Sequence, residues 1–137
     1  MNWRKKIDSF RKFNEESTIL ILWVELIMGE IKVINIKDAK EFFEGDERCK
    51  LYVKTEKIVF GTSYLEPGKE GTIDSGHKYG EEIFFVAKGK VTCKFSKTSK
   101  NLEEGDAVII PIGEPHKLIN KHDAPTLICW ALAPPDD

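Results

Sequence analysis

The chain has 137 residues, of which 41% are hydrophobic and 32% charged, and its formal net charge is -2. A chain of this length is expected to bury one hydrophobic core as a single domain. Because nucleic-acid binding requires a clustered basic surface, the near balance of charge predicts no nucleic-acid partner.

The first 28 residues need a separate interpretation. The apolar run TILILWVELIM is about half as long as the ~20 residues of a membrane-spanning helix, and Glu25 interrupts it. No small-residue cleavage site of a signal peptide follows it. We therefore expect no membrane association. Two interpretations stay open: residues 1–27 are an N-terminal extension, or translation starts at Met28. We favour the second, and in both interpretations residues 28–137 are a single domain.

From Met28 onward apolar and polar residues alternate almost everywhere, which is typical of β-strands. Residues 31–37 predict a first strand, and residues 38–46 predict a single helical turn with Asp38 as N-cap and Gly45 at its end. Seven further strand-like runs follow, parted by Gly, Pro, Asp or Asn: CKLYVK, KIVFGTSYL, EIFFVAKG, KVTCKF, AVIIPIG, HKLIN and TLICWAL. Short strands at this spacing predict an all-β fold, and the small size favours a compact barrel.

The three cysteines are odd in number and far apart, at positions 49, 93 and 129. No CxxC pair is present, so the spacing predicts neither a zinc ribbon nor a redox dithiol. Cys93 and Cys129 lie in strand-like runs, where small core residues are expected. This cysteine usage favours a reducing compartment, and we expect a cytoplasmic location.

The stretch DSGHKYGEEIFFVAKG, residues 74–89, places a histidine and a glutamate around a glycine-rich turn. If the strand opens at Glu82, His77 lies on the other leg of a hairpin corner, where facing Cβ atoms stand about 5 Å apart. At that separation an imidazole nitrogen and a carboxylate oxygen can reach one ion at roughly 2.0–2.2 Å. Gly76 and Gly80 allow the backbone to bend there.

A second stretch, GDAVIIPIGEPHKLIN at residues 105–120, contains another histidine after a rigid turn. Pro111 ends the preceding strand, and Pro115 forbids a helix. His116 then opens a new strand, with Leu118 and Asn120 on the same side of it. We expect Asn120 to make structural hydrogen bonds rather than to bind a metal.

These two stretches resemble the two conserved motifs of the cupin superfamily. The second matches the pattern G(x)5PxGxxHxxxN at every fixed position, and the resemblance covers roughly residues 45–134. It implies a small antiparallel jelly-roll β-barrel that is commonly a homodimer and often binds a divalent metal inside the barrel. The metal would be Fe, Mn, Zn, Co or Ni, with ligand roles for His77, Glu82 and His116.

The first motif departs from the cupin pattern at one position. Cupins usually have a histidine two residues before the one matched by His77, and this chain has Ser75 there. A serine hydroxyl is a poor ligand for a first-row transition metal. Asp74 is a further weak candidate, but alternation along an extended segment points it away from the site. Water is then the simplest fourth ligand.

Two histidines and one carboxylate with open positions form the ligand set of non-haem Fe(II) oxygenases, so an oxygenase acting on a small molecule is favoured. Proteins that the chain resembles also include sugar-phosphate isomerases and decarboxylases of small acids, and both activities stay open. A non-catalytic cupin that binds a small ligand or a metal is another alternative, and so is a metal-free structural cupin.

Several other side chains have structural interpretations. We expect the aromatic residues Phe84, Phe85 and Trp130 to fill the barrel core. Alternation predicts that Lys78 and Glu81 point outward, and His122 is expected to be exposed in a polar turn.

Overall fold

The computed structural model describes residues 29–136, of which residues 35–136 form one compact unit. Residues 29–34 belong to a separate unit and contain no strand or helix. The predictions for residues 1–27 fall outside the described part of the chain and stay predictions. Over residues 29–136 the secondary structure is entirely β, and no helix is long and apolar enough to cross a membrane.

Nine strands build the compact unit, and every pairing between them is antiparallel. They are β1 Lys40–Glu44, β2 Glu47–Lys54, β3 Val59–Leu65, β4 Glu81–Lys88, β5 Lys90–Phe95, β6 Ser99–Glu103, β7 Ala107–Ile110, β8 His116–Ile119 and β9 Thr126–Ala133. Six strands form one sheet in the order β1-β2-β3-β9-β4-β7, and three form a second in the order β6-β5-β8. The predicted all-β, antiparallel fold class is confirmed.

The hydrophobic core lies between these two sheets and takes side chains from both. Strand β4 shows the alternation that produces it, because Glu82, Phe84 and Val86 are buried while Glu81 and Ile83 are exposed. Successive side chains of a strand point to opposite faces, so an inward glutamate follows directly from the register of the apolar residues. The fold thus places one carboxylate among core side chains.

The predicted helical turn over residues 38–46 is wrong, since Lys40–Glu44 form strand β1. This strand pairs with β2 through a two-residue turn in which Gly45 has φ +64°. A single helical turn leaves its terminal N–H and C=O groups unpaired, whereas the hairpin gives them partners along the edge of the sheet.

The strand predicted over residues 31–37 is also absent. The side-chain Oδ1 of Asn35 accepts a hydrogen bond from the backbone N–H of Lys37 at 2.9 Å. The backbone carbonyl of Asn35 accepts one from the backbone N–H of Asp38, also at 2.9 Å. Asparagine side chains favour such local turns over extended pairing. Strand β6, SKNLE, was not predicted, because four of its five side chains are exposed and its sequence lacks apolar alternation.

Two predicted core residues lie on the outer face of the large sheet. Phe85 is 43% exposed and Cys129 is half-buried opposite it on β9. Both alternate with side chains that point inward, so the strand register excludes them from the core. Phe84 and Cys93 are buried as predicted, and Trp130 packs against the core from a half-buried position.

Asn120 has the structural role that the sequence predicts. It is fully buried, and its Nδ2 donates to the carbonyls of Leu65 at 3.1 Å and Ala124 at 2.9 Å. Its Oδ1 accepts a hydrogen bond from the backbone N–H of His122 at 3.0 Å. Asn120 therefore joins the end of β3 to the turn that leads into β9.

Candidate metal centre

The segment before β4 lies alongside β8 and positions Asp74. The backbone N–H of Asp74 donates to the carbonyl of His116 at 2.9 Å, and the N–H of His116 donates back at 3.0 Å. Residues that are directly opposite in an antiparallel pair project their side chains to the same face. The carboxylate of Asp74 therefore lies on the same side as the imidazole of His116.

A close approach of two loops positions His77. Gly76 has φ +101°, and a Cβ at this position would stand 2.7 Å from the carbonyl carbon of Gly113. The N–H of Gly113 also donates to the carbonyl of His77 at 2.9 Å. Only glycine allows this conformation together with this separation. The two loops that carry His77 and His116 are consequently held against each other.

Four side chains converge on one point inside the barrel. Oε1 of Glu82 is 2.9 Å from Nε2 of His116 and 3.2 Å from Nε2 of His77. Oδ2 of Asp74 is 3.5 Å from Nε2 of His77 and 3.7 Å from Nε2 of His116. One ligand atom from each residue lies within 4.8 Å of the ligand atoms of the other three.

These separations match the chemistry of a divalent metal. Two donor atoms bound at right angles to one ion, each at 2.0–2.2 Å, stand about 3 Å apart. The donor set of two imidazole nitrogens and two carboxylate oxygens suits Fe, Mn, Zn, Co or Ni. The residues present thus fit the ion that the cupin resemblance implies.

The other nitrogen of each imidazole is hydrogen-bonded away from the cluster. Nδ1 of His77 is 2.7 Å from Oδ2 of Asp136, and Nδ1 of His116 is 3.0 Å from the carbonyl of Glu114. Both partners are acceptors, so they favour the tautomer with hydrogen on Nδ1 and a lone pair on Nε2. Metal-binding histidines in proteins are oriented in this way.

The electrostatics of the cluster favour a positive charge. Burial alone lowers the pKa of both histidines, but hydrogen bonds and nearby carboxylates outweigh it, so that both pKa values are raised. The groups that raise the pKa of His77 are Asp136, Glu82 and Asp74. Those that raise the pKa of His116 are Glu82, the Glu114 carbonyl and Asp74. A proton or a metal ion between these acceptors relieves their repulsion.

The cluster lies in the wall of a cavity of about 400 Å³. Glu82 and His116 are buried, the side chain of His77 is 13% exposed, and that of Asp74 is 43% exposed. The aromatic ring of Phe84 packs edge-on against His116, with ring centroids 5.4 Å apart. A cavity of this volume can enclose a small molecule next to the cluster.

The sequence profile of the cupin domain matches residues 61–132, which is more than half of the chain. The chain belongs to the cupin superfamily. Vicilin Jug r 6.0101 of Juglans regia is 32% identical to this cupin in an alignment of 81 residues that covers 53% of this chain and 16% of the vicilin. The match therefore spans a small part of that relative.

Three solved cupin structures show the same fold. KdgF from Halomonas sp. has a TM-score of 0.66 at 18% identity, covering 77% of this chain and 97% of its own. An RmlC-like cupin from Shewanella frigidimarina has a TM-score of 0.66 at 13% identity, and the match covers 79% of this chain and 95% of that cupin. A sugar phosphate isomerase of the superfamily from Silicibacter pomeroyi has a TM-score of 0.63 at 14% identity, and the match covers 74% of this chain and 75% of the isomerase. At these identities the similarity establishes the jelly-roll fold alone.

The structure brings together the three side chains that the sequence singles out as metal ligands, His77, Glu82 and His116. The expectation that Asp74 points away is wrong, because its pairing with His116 and the left-handed Gly76 break the simple alternation of the segment. Asp74 occupies the position beside the histidines where water was expected. Ser75 lines the same cavity and is exposed.

Two polar residues near the site were not predicted. Asp136 lies 59 residues from His77 in sequence, in a segment after β9 that carries no motif. Glu47 opens β2 and lines the cavity without joining the four-residue cluster. Alternation along β2 gives a signal for Glu47, because it shares a face with the buried Cys49.

Proposed function

We propose that this cupin binds one divalent metal ion through His77, Glu82, His116 and Asp74, and that it is an enzyme acting on a small molecule in the adjoining cavity. The observation that carries the proposal is the convergence of two Nε2 atoms on one buried carboxylate oxygen, while both Nδ1 atoms are hydrogen-bonded elsewhere. A deprotonated Nε2 and a carboxylate oxygen are both acceptors, so they lie this close together only with a proton or a cation between them.

The number of ligands bears on which metal permits catalysis. Four protein ligands complete the tetrahedral shell of a structural zinc site. The same four leave two positions open on a six-coordinate ion such as Fe(II) or Mn(II). A bound ion with open positions would supply the site at which a substrate or dioxygen is polarised or activated. We therefore favour Fe(II) or Mn(II) over Zn as the catalytic ion.

The chain's own residues shape the space around that ion. Phe84 packs against the His116 ring, and Trp130, Leu118 and Leu132 add apolar surface to the cavity wall. Apolar walls limit the access of water and strengthen the interactions of the polar groups inside. Asp136 and the Glu114 carbonyl orient the two imidazoles through hydrogen bonds to Nδ1 of His77 and of His116.

The charge of the cavity favours an oxygenase over the two alternative activities. Its described lining includes four carboxylates and one lysine, Lys117, whose Nζ is 2.8 Å from Oε1 of Glu70. A sugar phosphate or a small dicarboxylic acid needs cationic groups to balance its charge. An oxygenase acting on an uncharged substrate needs only the metal and a partly apolar pocket.

Anaerobic reconstitution with Fe(II), followed by a screen of uncharged small molecules for substrate-dependent O2 uptake, tests the enzymatic proposal. We expect uptake with the Fe(II) protein and none with the Glu82→Gln variant, which keeps the shape of the side chain but loses its charge. Turnover of a sugar phosphate without O2 uptake would contradict the oxygenase and support the isomerase.

A non-catalytic metal-binding cupin is the second candidate, and Asp74 is the observation that favours it. With this second carboxylate the protein can close a four-ligand zinc shell. In that case the purified protein would contain zinc, and Fe(II) would neither replace it nor support O2 uptake. Metal analysis together with the uptake assay separates the two candidates.

We also propose that the chain is a homodimer, as many cupins are, and its cytoplasmic location stays a prediction. Ile83, Phe85 and Ile109 are 43–60% exposed on the outer face of the large sheet, where Ile83 is directly opposite Ile109. Burying such side chains against a second copy is favourable. Sedimentation equilibrium should give a dimer mass for the wild type and a monomer mass for Ile109→Lys.

A further inference from the structure

Glu47 is a carboxylate in the cavity wall that the proposed metal site does not use. It is the first residue of β2, whereas Glu82 lies on β4, and two strands, β3 and β9, separate β2 from β4 in the sheet. Both glutamates line the same cavity. A molecule that contacts the proposed metal can therefore meet a second polar group on another part of the wall.

A chain of hydrogen bonds holds one oxygen of Glu47 in place. The indole Nε1–H of Trp130 donates to Oγ of Ser63 at 3.0 Å, and the hydroxyl of Ser63 donates to Oε1 of Glu47. An indole nitrogen is only a donor, so Ser63 accepts from Trp130 and keeps its own hydrogen for the carboxylate of Glu47. Ser63 is fully buried. The side chains of Trp130 and Ser63 thus orient the carboxylate of Glu47.

The other oxygen of Glu47 fits against a glycine. A Cβ at Gly71 would stand 2.3 Å from Oε2 of Glu47, so any larger residue would displace the carboxylate. Among residues 29–136, no N–H or O–H group donates a hydrogen bond to this oxygen. Oε2 thus keeps its lone pairs for a further hydrogen bond, in a residue that lines the cavity.

The environment of Glu47 restricts what that molecule can be. Burial raises the pKa of Glu47, and the carboxylates of Glu44 and Glu82 raise it further, although the Ser63 hydrogen bond opposes them. A hydroxyl group can donate to the ionised form or accept from the protonated form. An anionic group would instead meet the carboxylates of Glu44, Asp74 and Glu82 in the same wall.

We propose that Oε2 of Glu47 is a second anchor for the molecule bound in the cavity, and that this molecule offers it a hydroxyl group and carries no negative charge. The inference rests on the proposed function only for the location of the bound molecule, and it does not require the metal. It narrows the substrate class to hydroxyl compounds without a negative charge.

The hydrogen-bond chain provides a direct readout, because the Trp130 indole N–H signal should shift when Oε2 of Glu47 acquires a partner. The signal is identified by its loss in Trp130→Phe and followed by NMR during titration with glycerol and xylitol. Glycerate and xylonate are the matched anions. We expect a saturable shift with the polyols and at least about tenfold weaker binding of each anion, equivalent to 1.4 kcal/mol.

Two variants assign the effect to the carboxylate. Glu47→Gln removes the charge and keeps the shape, and Gly71→Ala displaces the carboxylate while keeping its charge. Both should weaken polyol binding by about tenfold or more. Glu66→Gln is the control, because Glu66 is an exposed glutamate that is not among the residues lining the cavity. Thermal unfolding checks that every variant is folded.

The inference is overturned if neither polyol shifts the indole signal, if the anions bind as tightly as the polyols, or if both Glu47→Gln and Gly71→Ala bind the polyols as the wild type does. These outcomes are separate from a failure of the metal proposal. A protein that binds no metal can still show polyol binding that depends on Glu47, and a metal-loaded protein can lack it.

Discussion

Asp136 controls the tautomer of His77 from outside the ligand cluster. Its carboxylate is 2.7 Å from Nδ1 of His77, and its Oδ1 accepts a hydrogen bond from the N–H of Lys78 at 3.1 Å. The hydrogen bond to His77 lowers the pKa of Asp136, so this carboxylate stays ionised near neutral pH. An ionised partner at Nδ1 strengthens Nε2 as a metal ligand.

Replacing Asp136 with Asn should therefore weaken metal binding without unfolding the protein. Loss of such a partner behind a metal-binding histidine typically lowers metal affinity by roughly 10–100-fold. Competition with a coloured chelator measures the change. Asp123→Asn is the matched control, since Asp123 is an exposed aspartate in the β8–β9 turn. Equal affinities for Asp136→Asn and wild type would show that the contact has no role in the site.

The ligand residues differ in how far the sequence predicted them. The ligand roles of His77, Glu82 and His116 were predicted from the resemblance to the cupin motifs, and strand alternation accounts for the inward position of Glu82 and His116. Asp74 could not be placed by alternation, since its orientation depends on pairing with a strand that lies 42 residues further along the chain. The position of Asp136 beside His77 depends on tertiary contact alone, because the two residues are 59 positions apart in the sequence.

At the scale of elements, the site depends on two loops held in contact. The loop before β4 carries Asp74 and His77, and the loop before β8 ends at His116. Gly76 lies where the two loops touch, because a Cβ at this position would stand 2.7–2.8 Å from the carbonyl group of Gly113. Backbone atoms, unlike the end of a flexible side chain, cannot move aside cheaply.

Gly76→Ala should consequently lower both stability and metal affinity. A non-glycine residue at positive φ costs about 1 kcal/mol or more, and the collision with Gly113 should separate the loops. Gly68→Ala is the control, because Gly68 has φ +76° with nothing within 4 Å of a Cβ. Urea unfolding and chelator competition on both variants should show a stability loss in each and a loss of metal affinity only in Gly76→Ala. Loss of affinity in both would refute the role of the loop contact.

The sequence predicted the strands with apolar side chains better than the mostly polar ones. Strands β2, β3, β4, β5, β7, β8 and β9 all overlap predicted runs. The two strands it missed, β1 and β6, are edge strands on which few side chains are buried, whereas the edge strands β7 and β8 contain the apolar runs AVII and HKLI. Apolar periodicity reports burial, so it carries little signal where a strand is held by backbone hydrogen bonds alone.

At the scale of the whole molecule, the proposed metal should link the two sheets. His116 lies on β8 in the small sheet and Glu82 on β4 in the large one. An ion bound to both bridges the layers that enclose the core. Any ligand that binds the native state and not the unfolded chain raises stability by mass action.

Addition of the metal should accordingly raise the thermal unfolding temperature. At a free metal concentration about 100 times Kd the expected stabilisation is about 2.7 kcal/mol, and for a domain of this size each kcal/mol shifts Tm by about 4 °C. Glu82→Gln should lose this rise. Calorimetry with and without metal measures it, and a rise of the same size in Glu82→Gln would place the binding elsewhere.

Elemental analysis of untagged protein, purified without chelator, tests the central claim most directly. We predict a stoichiometric amount of a divalent transition metal in the wild type, and its loss in His116→Ala. Wild-type protein that contains no metal and binds no added divalent ion would contradict the account, as would a His116→Ala protein that retains its full metal content.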